Sequence, residues 1–139
     1  MRVPEYACAL LTDPRGWLLW QLRPSSSRHA ADQLTCFGGR IETGEDASAA
    51  LRRELREELA LEVAADLPVA VELWRGQRFI ATFYTVPALE RGAALRCEPG
   101  FVAVWAPPEA QAALPISPWH AAALTCWRQG RRYCDLEEI

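Results

Sequence analysis

Glu54, Glu57 and Glu58 are spaced so that, on a helix, their carboxylates fall within an arc of about 100°. Like charges held that close repel one another, which is a poor arrangement for stability alone and a good one for a divalent cation. The neighbouring Arg52, Arg53 and Arg56 offer the alternative of an ordinary solvated helix carrying weak charge pairs one turn apart.

The elements that must position these acids can be read around them. Gly38 and Gly39 read as a glycine turn feeding the helix, Asp46 can cap it, and Leu51, Leu55 and Leu59 give it an apolar stripe. The carboxylates flank that stripe, with Glu58 nearest the buried edge. The whole segment from Gly38 to Leu61 resembles the Nudix box, G-x5-E-x7-R-E-U-x-E-E-x-G-U with U a bulky aliphatic residue. The matching positions are Gly39, Glu45, Arg53, Glu54, Leu55, Glu57, Glu58 and Leu61, and Ala60 stands where the box has glycine. If that position is left-handed, alanine costs about 1 kcal/mol there without removing a ligand.

The resemblance implies a MutT-like Nudix hydrolase over a single domain, residues 1–139. It implies an α/β/α sandwich with a mixed sheet and a catalytic loop-helix-loop. Carried over by position, Glu57 and Glu58 become the leading ligands of Mg²⁺ or Mn²⁺, Glu54 a further ligand or water-orienting group, and a main-chain carbonyl of Gly38 or Gly39 another oxygen. Hard oxygen ligands suit magnesium, which keeps several waters. The ion would neutralise a diphosphate bridge and present hydroxide to it. Arg53 is placed to orient Glu45 or a ligating glutamate, a role its bidentate donor geometry suits. Glu42 reaches a cation through water or is a plain turn residue. Nudix enzymes draw their general base either from the box or from an acidic residue in a loop before a late strand. The segment from Arg96 to Phe101 resembles that loop, which makes Glu98 a second candidate beside Glu54 and Glu57.

Fifteen arginines, no lysine and eighteen acids give a formal charge of −3. Such a balance offers no general attraction for a nucleic acid polymer, and the absence of lysine excludes Schiff-base chemistry. No apolar run approaches the ~20 residues of a membrane span, and the N-terminal residues lack a secretory signal, so a cytoplasmic protein without membrane contact is expected. The five cysteines are odd in number and contain no C-x-x-C pair, which argues against zinc and disulfides. They read as small buried hydrophobes, with Cys134 the most exposed.

Strands are expected at Tyr6 to Leu11 and Trp17 to Leu22, joined as a hairpin or meander edge through Thr12 to Gly16. A serine-rich loop from Pro24 to Ala31, carrying Arg28 and His29, leads to a strand from Leu34 to Phe37. Leu61 to Trp74 is strand-like with a turn at Asp66 to Pro68. Arg75 to Gln77 then closes a hairpin between Val69 to Trp74 and Arg78 to Val86. Leu89 to Gly100 is irregular, Phe101 to Trp105 is a strand, Pro107-Pro108 can open a short helix through Ala113, and a second helix runs from Pro118 to Gly130.

Specificity is less legible. Trp20, Phe37, Trp74, Phe79, Phe83, Trp105 and Trp119 are all aromatic, and most must be core in a chain this small. Arg28, Trp119 and His120 are the pocket candidates. The downstream positions that mark ADP-ribose and dinucleoside-polyphosphate hydrolases within the family hold Arg75 and Gly76 here. Small size without an added dimerisation domain leans towards a (d)NTP pyrophosphohydrolase acting on a small nucleotide, as monomer or homodimer. A nucleotide-sugar or ADP-ribose diphosphatase and a non-catalytic nucleotide-binding module are the alternatives.

Overall fold

Five residues in a row on the first strand, Ala7 to Leu11, are buried, so this segment needs packing partners on both faces. In the computed structural model, which describes residues 2–86 and 95–138, that strand (β1, Tyr6–Leu11) lies inside a sheet. It pairs antiparallel with β4 (Phe37–Arg40) and parallel with β6 (Arg78–Val86). The antiparallel hairpin of β5 (Val69–Arg75) with β6 turns at Gly76, whose φ is +58°. A short strand near the C-terminus, β8 (Tyr133–Asp135), runs parallel to β5 and completes a mixed five-stranded sheet in the order β4-β1-β6-β5-β8. A second, antiparallel sheet has the order β3-β2-β7, with β2 at Leu18–Leu22, β3 at Leu34–Thr35 and β7 at Val102–Ala106.

Two helices cover opposite faces of the mixed sheet. The alternation along β1 sends Ala7, Ala9 and Leu11 to one side, where they meet Leu51, Leu55 and Leu59 of α1 (Ala47–Leu59). Cys8 and Leu10 go to the other side, in one cluster with Ala123, Leu124 and Cys126 of α2 (Pro118–Arg128). Each of the three α1 leucines is fully buried. At about 2 kcal/mol apiece they hold the acid-bearing helix to the sheet. The expected α/β/α arrangement is therefore present. Asp46 caps α1, its carboxylate accepting from Ala49 N at 2.7 Å.

Several expectations change. Residues 6–22 do not form an edge hairpin: one bridge, Thr12 with Leu18, closes the turn, after which β1 and β2 enter different sheets. β1 is an inner strand, hydrogen-bonded to β4 on one edge and to β6 on the other, which leaves no edge for β2. The strand expected from Leu34 to Phe37 is broken at Cys36, whose N–H is spent on a side chain of α2. Gly38 and Gly39 lie in β4, and the turn comes later, at Gly44 (φ +88°). Of the stretch from Leu61 to Trp74, only Val69 onwards is strand. β8 was not expected, and it reverses the reading of Cys134, which is fully buried between β5 and α2 while Cys97 is the more exposed thiol. Residues 87–94, where the irregular segment from Leu89 was expected to begin, lie outside the described residues. Among the described residues no helix is long and apolar enough to cross a membrane.

Candidate active site

The two glycines of β4 allow close approach of backbone to backbone and backbone to acid. Gly38 has φ +140°, and a methyl group there would collide with the Ala7 carbonyl oxygen of β1. At Gly39 a methyl would stand 2.5 Å from Glu54 Oε1. The strand is thus bare where α1 leans its acids on it, and the freed N–H of Gly38 donates to Glu58 Oε1 at 2.9 Å.

Glu58 is 7% exposed, the most buried acid of α1. Its other oxygen, Oε2, accepts from Gln21 Nε2 at 3.2 Å. Burial, reinforced by the nearby Glu54 carboxylate, outweighs those two donors and pushes the Glu58 pKa up to about 8. Glu54 is also raised, by burial first, with Arg53 pulling the other way. Glu98 of the late loop lines the same cavity and adds its charge to both.

Arg53 occupies the outer side of this cluster. Its Nε and Nη2 hold Glu45 in a fork at 2.8 and 3.0 Å, and Nη2 also reaches the Arg40 carbonyl oxygen at 3.1 Å. Its Nη1 donates to Glu54 Oε1 at 3.0 Å and, more weakly, to Glu57 at 3.4 Å. The guanidinium and the Glu42 N–H together hold Glu45 down to about 2. Glu57, its side chain 55% exposed, lies beside Arg53 and does not line the cavity.

The cavity has a volume of about 590 Å³ and three chemically distinct walls. Glu54, Glu58 and Glu98 make an acidic wall. Arg23 and Arg78 line a second, Arg23 stacked over Phe101 at 5.5 Å and Arg78 over Trp119 at 5.4 Å, with the Arg78 Nε and Nη2 donating to Glu5 at 2.6 and 2.9 Å. Tyr6, Phe83, Trp119 and His120 make the third wall, with Tyr6 edge-on to Trp119 and Phe83 edge-on to His120. His120 Nδ1 accepts the Cys36 N–H at 2.9 Å, so in the neutral ring the proton is on Nε2. Burial, helped by the Arg23 charge, lowers its pKa to about 4. Thr35 Oγ1, also at the cavity, is buried without a hydrogen-bond partner among the described residues.

Of the residues singled out in the sequence, Gly38, Gly39, Glu54, Glu58, Glu98, Trp119 and His120 come together here. Arg28 is exposed and does not line the cavity, and its neighbours Arg23 and His29 do. Trp74 stacks flat on Phe79 elsewhere, at 4.3 Å and 7°. Sequence reasoning missed Gln21, Arg23 and Thr35. The signal for Gln21 was present, since it is the only polar residue in the strand LLWQL. Among the described residues, no three His, Cys, Asp or Glu side chains already converge as a metal-binding group. The chemistry of the cavity nonetheless fits a divalent cation. Glu58 is a buried carboxylate with no cationic partner among the described residues, and it shares the cavity with two further acids. An ion of the magnesium type needs only one or two carboxylates, with water and substrate phosphate completing its shell.

The family model described as NUDIX domain matches residues 1–126. No protein with a curated description matches the chain. Among solved structures, the chain is similar to the MutT protein from Methanosarcina mazei Go1 at 15% identity and a TM-score of 0.73, covering 93% of this chain and 96% of that one. It is similar to the E. coli ORF135 protein at 27% identity and the same TM-score, covering 93% and 91%. For DR0079 from Deinococcus radiodurans the identity is 23% and the TM-score 0.68, over 94% and 84% of the two chains.

Proposed function

The chain belongs to the NUDIX family, and from that premise we propose that it is a divalent-metal-dependent phosphoanhydride hydrolase that cleaves (d)NTPs to a nucleoside monophosphate and pyrophosphate. The observation that carries the reading is the pairing of half-buried Glu54 with buried Glu58, both with raised pKa values, on one wall of a cavity whose other walls carry arginine and aromatic side chains. Bound Mg²⁺ or Mn²⁺ would supply the charge that neutralises the phosphoanhydride oxygens and lowers the pKa of water.

The chain's own residues do the rest. Gly38 and Gln21 fix the rotamer of Glu58 by donating to both its oxygens, and Arg53 holds Glu54 while leaving one of its oxygens towards the cavity. Glu57, on the solvent side, adds negative charge at the mouth of the cluster. Arg23 and Arg78 draw in the phosphate chain, and Trp119 with Tyr6 offers ring faces and edges to a base. Glu98 carries no hydrogen bond from its carboxylate among the described residues and faces Glu54 and Glu58, which makes it the proton acceptor for the attacking water, with Glu54 the alternative.

The test is a panel of dNTPs, 8-oxo-dGTP, ADP-ribose, UDP-glucose, dinucleoside polyphosphates and CoA, scored by kcat/KM and by both products. Monophosphate with pyrophosphate is the expected outcome. Monophosphate with a sugar phosphate and negligible NTP cleavage would transfer the chain to the nucleotide-sugar or ADP-ribose diphosphatases. Tight ligand binding without turnover would make it a binding module.

A further inference from the structure

We infer that Gln21 is a positioning residue whose buried amide joins the carboxylate of Glu58 to the guanidinium of Arg23, so that the cation-binding and anion-binding sides of the cavity share one hydrogen-bonded link. The inference rests on the proposed reading of Glu58 as a metal ligand.

Gln21 is 2% exposed in a strand that is otherwise apolar. A buried amide in such a place is costly unless both its ends are satisfied. Here they are: Nε2 donates to Glu58 Oε2 at 3.2 Å, and Oε1 accepts from Arg23 Nη1 at 3.4 Å. The charges on either side fix which way the amide points. Turned over, it would set its NH₂ against a guanidinium and its carbonyl against a carboxylate, opposing both contacts.

The consequence for Glu58 is geometric. With Gly38 N–H on one oxygen and Gln21 Nε2 on the other, each carboxylate oxygen has one acceptor site occupied and one left for the cavity. The consequence for Arg23 is similar. Its Nε is spent on Ser27 Oγ at 3.1 Å and the His29 carbonyl oxygen at 2.9 Å, and its Nη1 on Gln21. Nη2 makes no hydrogen bond among the described residues, and the side chain lines the cavity. The loop from Pro24 to Ala31 and helix α1 are therefore connected through a single side chain of β2. A phosphate drawn to Arg23 and a cation drawn to Glu58 act on opposite ends of the same amide.

Replacement of Gln21 by methionine keeps the length and most of the volume of the side chain while removing both hydrogen bonds. Mn²⁺ binding to metal-free wild type, Gln21→Met, Glu58→Gln and the double variant, read by the electron paramagnetic resonance of free Mn²⁺, tests the link without any turnover. Gln21→Met is expected to weaken Mn²⁺ binding about ten- to a hundredfold, the usual scale for losing a partner behind a ligand. In the Glu58→Gln background the same change should add less than about twofold, because a residue that acts through Glu58 has nothing left to position. Equal losses in both backgrounds, or none in the wild-type background while Glu58→Gln does weaken binding, would overturn the inference alone. Mn²⁺ binding that Glu58→Gln leaves intact would overturn the reading of Glu58 and this inference with it. Should Gln21→Met fail to fold, the wild type answers the question through its ¹H–¹⁵N spectrum under Mg²⁺ titration. The Gln21 side-chain amide is expected to shift and to saturate with the metal, and an unmoved Gln21 amide would overturn the link.

Discussion

Restoring glycine at position 60 should stabilise the protein without changing its chemistry. Ala60 ends α1 in the left-handed region, at φ 54° and ψ 36°. Its N–H donates to the Arg56 carbonyl at 3.0 Å, the single closure of an αL end, and the Leu61 N–H reaches back to the Leu55 carbonyl at 3.2 Å. An L-residue held there costs about 1–2 kcal/mol. Glycine removes that strain but gives back about 0.5–1 kcal/mol in unfolded-chain entropy, so Ala60→Gly should gain about 0.5–1 kcal/mol. The methyl group is exposed, and its removal forfeits no packing. For a chain of 139 residues the gain corresponds to a rise in Tm of about 2–5 °C. Circular dichroism melts and urea titrations should both register it, with a higher midpoint at an unchanged m-value. Turnover should stay within about twofold, because the cap touches neither Glu58 nor the cavity. A Tm that is unchanged or lower would refute the argument from strain.

Glu58 and Glu57 should separate by depth: Glu58→Gln is expected to lower kcat by at least about a hundredfold, and the exposed Glu57→Gln by nearer tenfold, both with native circular dichroism. Equal losses would show that exposure does not rank them. His120 gives a pH test whose sign is fixed by its lowered pKa. The unfolded ring binds its proton near 6.5 and the folded one at about 4. The stability it contributes is therefore full above pH 6.5 and lost as pH falls from 6.5 towards 4. The stability difference between wild type and His120→Gln, followed by urea unfolding, should shrink across that window. A constant difference would mean that the ring is not held neutral.

The acid-bearing helix was legible because its signals are local. Asp46, the leucine stripe and the spacing of the glutamates are fixed by helix geometry, and that geometry places Glu58 at the buried edge. The sheet was less legible because register and partner choice are long-range. Nothing near Tyr6 announces that its strand will run parallel to residues 78–86, and nothing near Tyr133 announces β8. Glycine carries the same ambiguity, since Gly38 and Gly39 read as a turn when considered alone. Only the approach of Ala7 and Glu54 shows why a strand needs them. The pocket suffered most. Arg23 was hidden by the more conspicuous Arg28, and which of the two faces inward depends on the path of a loop pinned by Ser27 and the His29 carbonyl.

The arrangement of charge on α1 and just before it explains how acids of opposite character stand close together. Arg53 forks Glu45 and grips Glu54, and the result is a carboxylate at about 2 on the outer side of the helix. Glu58 lies one turn beyond Glu54 on the inner side, beyond the reach of that guanidinium, and rises to about 8. Two carboxylates, Glu45 just before the helix and Glu58 near its end, are thus pushed in opposite directions, the pattern that assigns different tasks to chemically identical groups. An arginine near Glu58 would remove the charge deficit and with it the affinity for a cation. Gln21 and Gly38 avoid this by holding Glu58 with neutral donors, which set its geometry without a cation among the described residues. Neutral donors on Glu58 and a charged one on Glu45 are therefore opposite solutions to burying an acid, and only the first is compatible with the metal role proposed for Glu58.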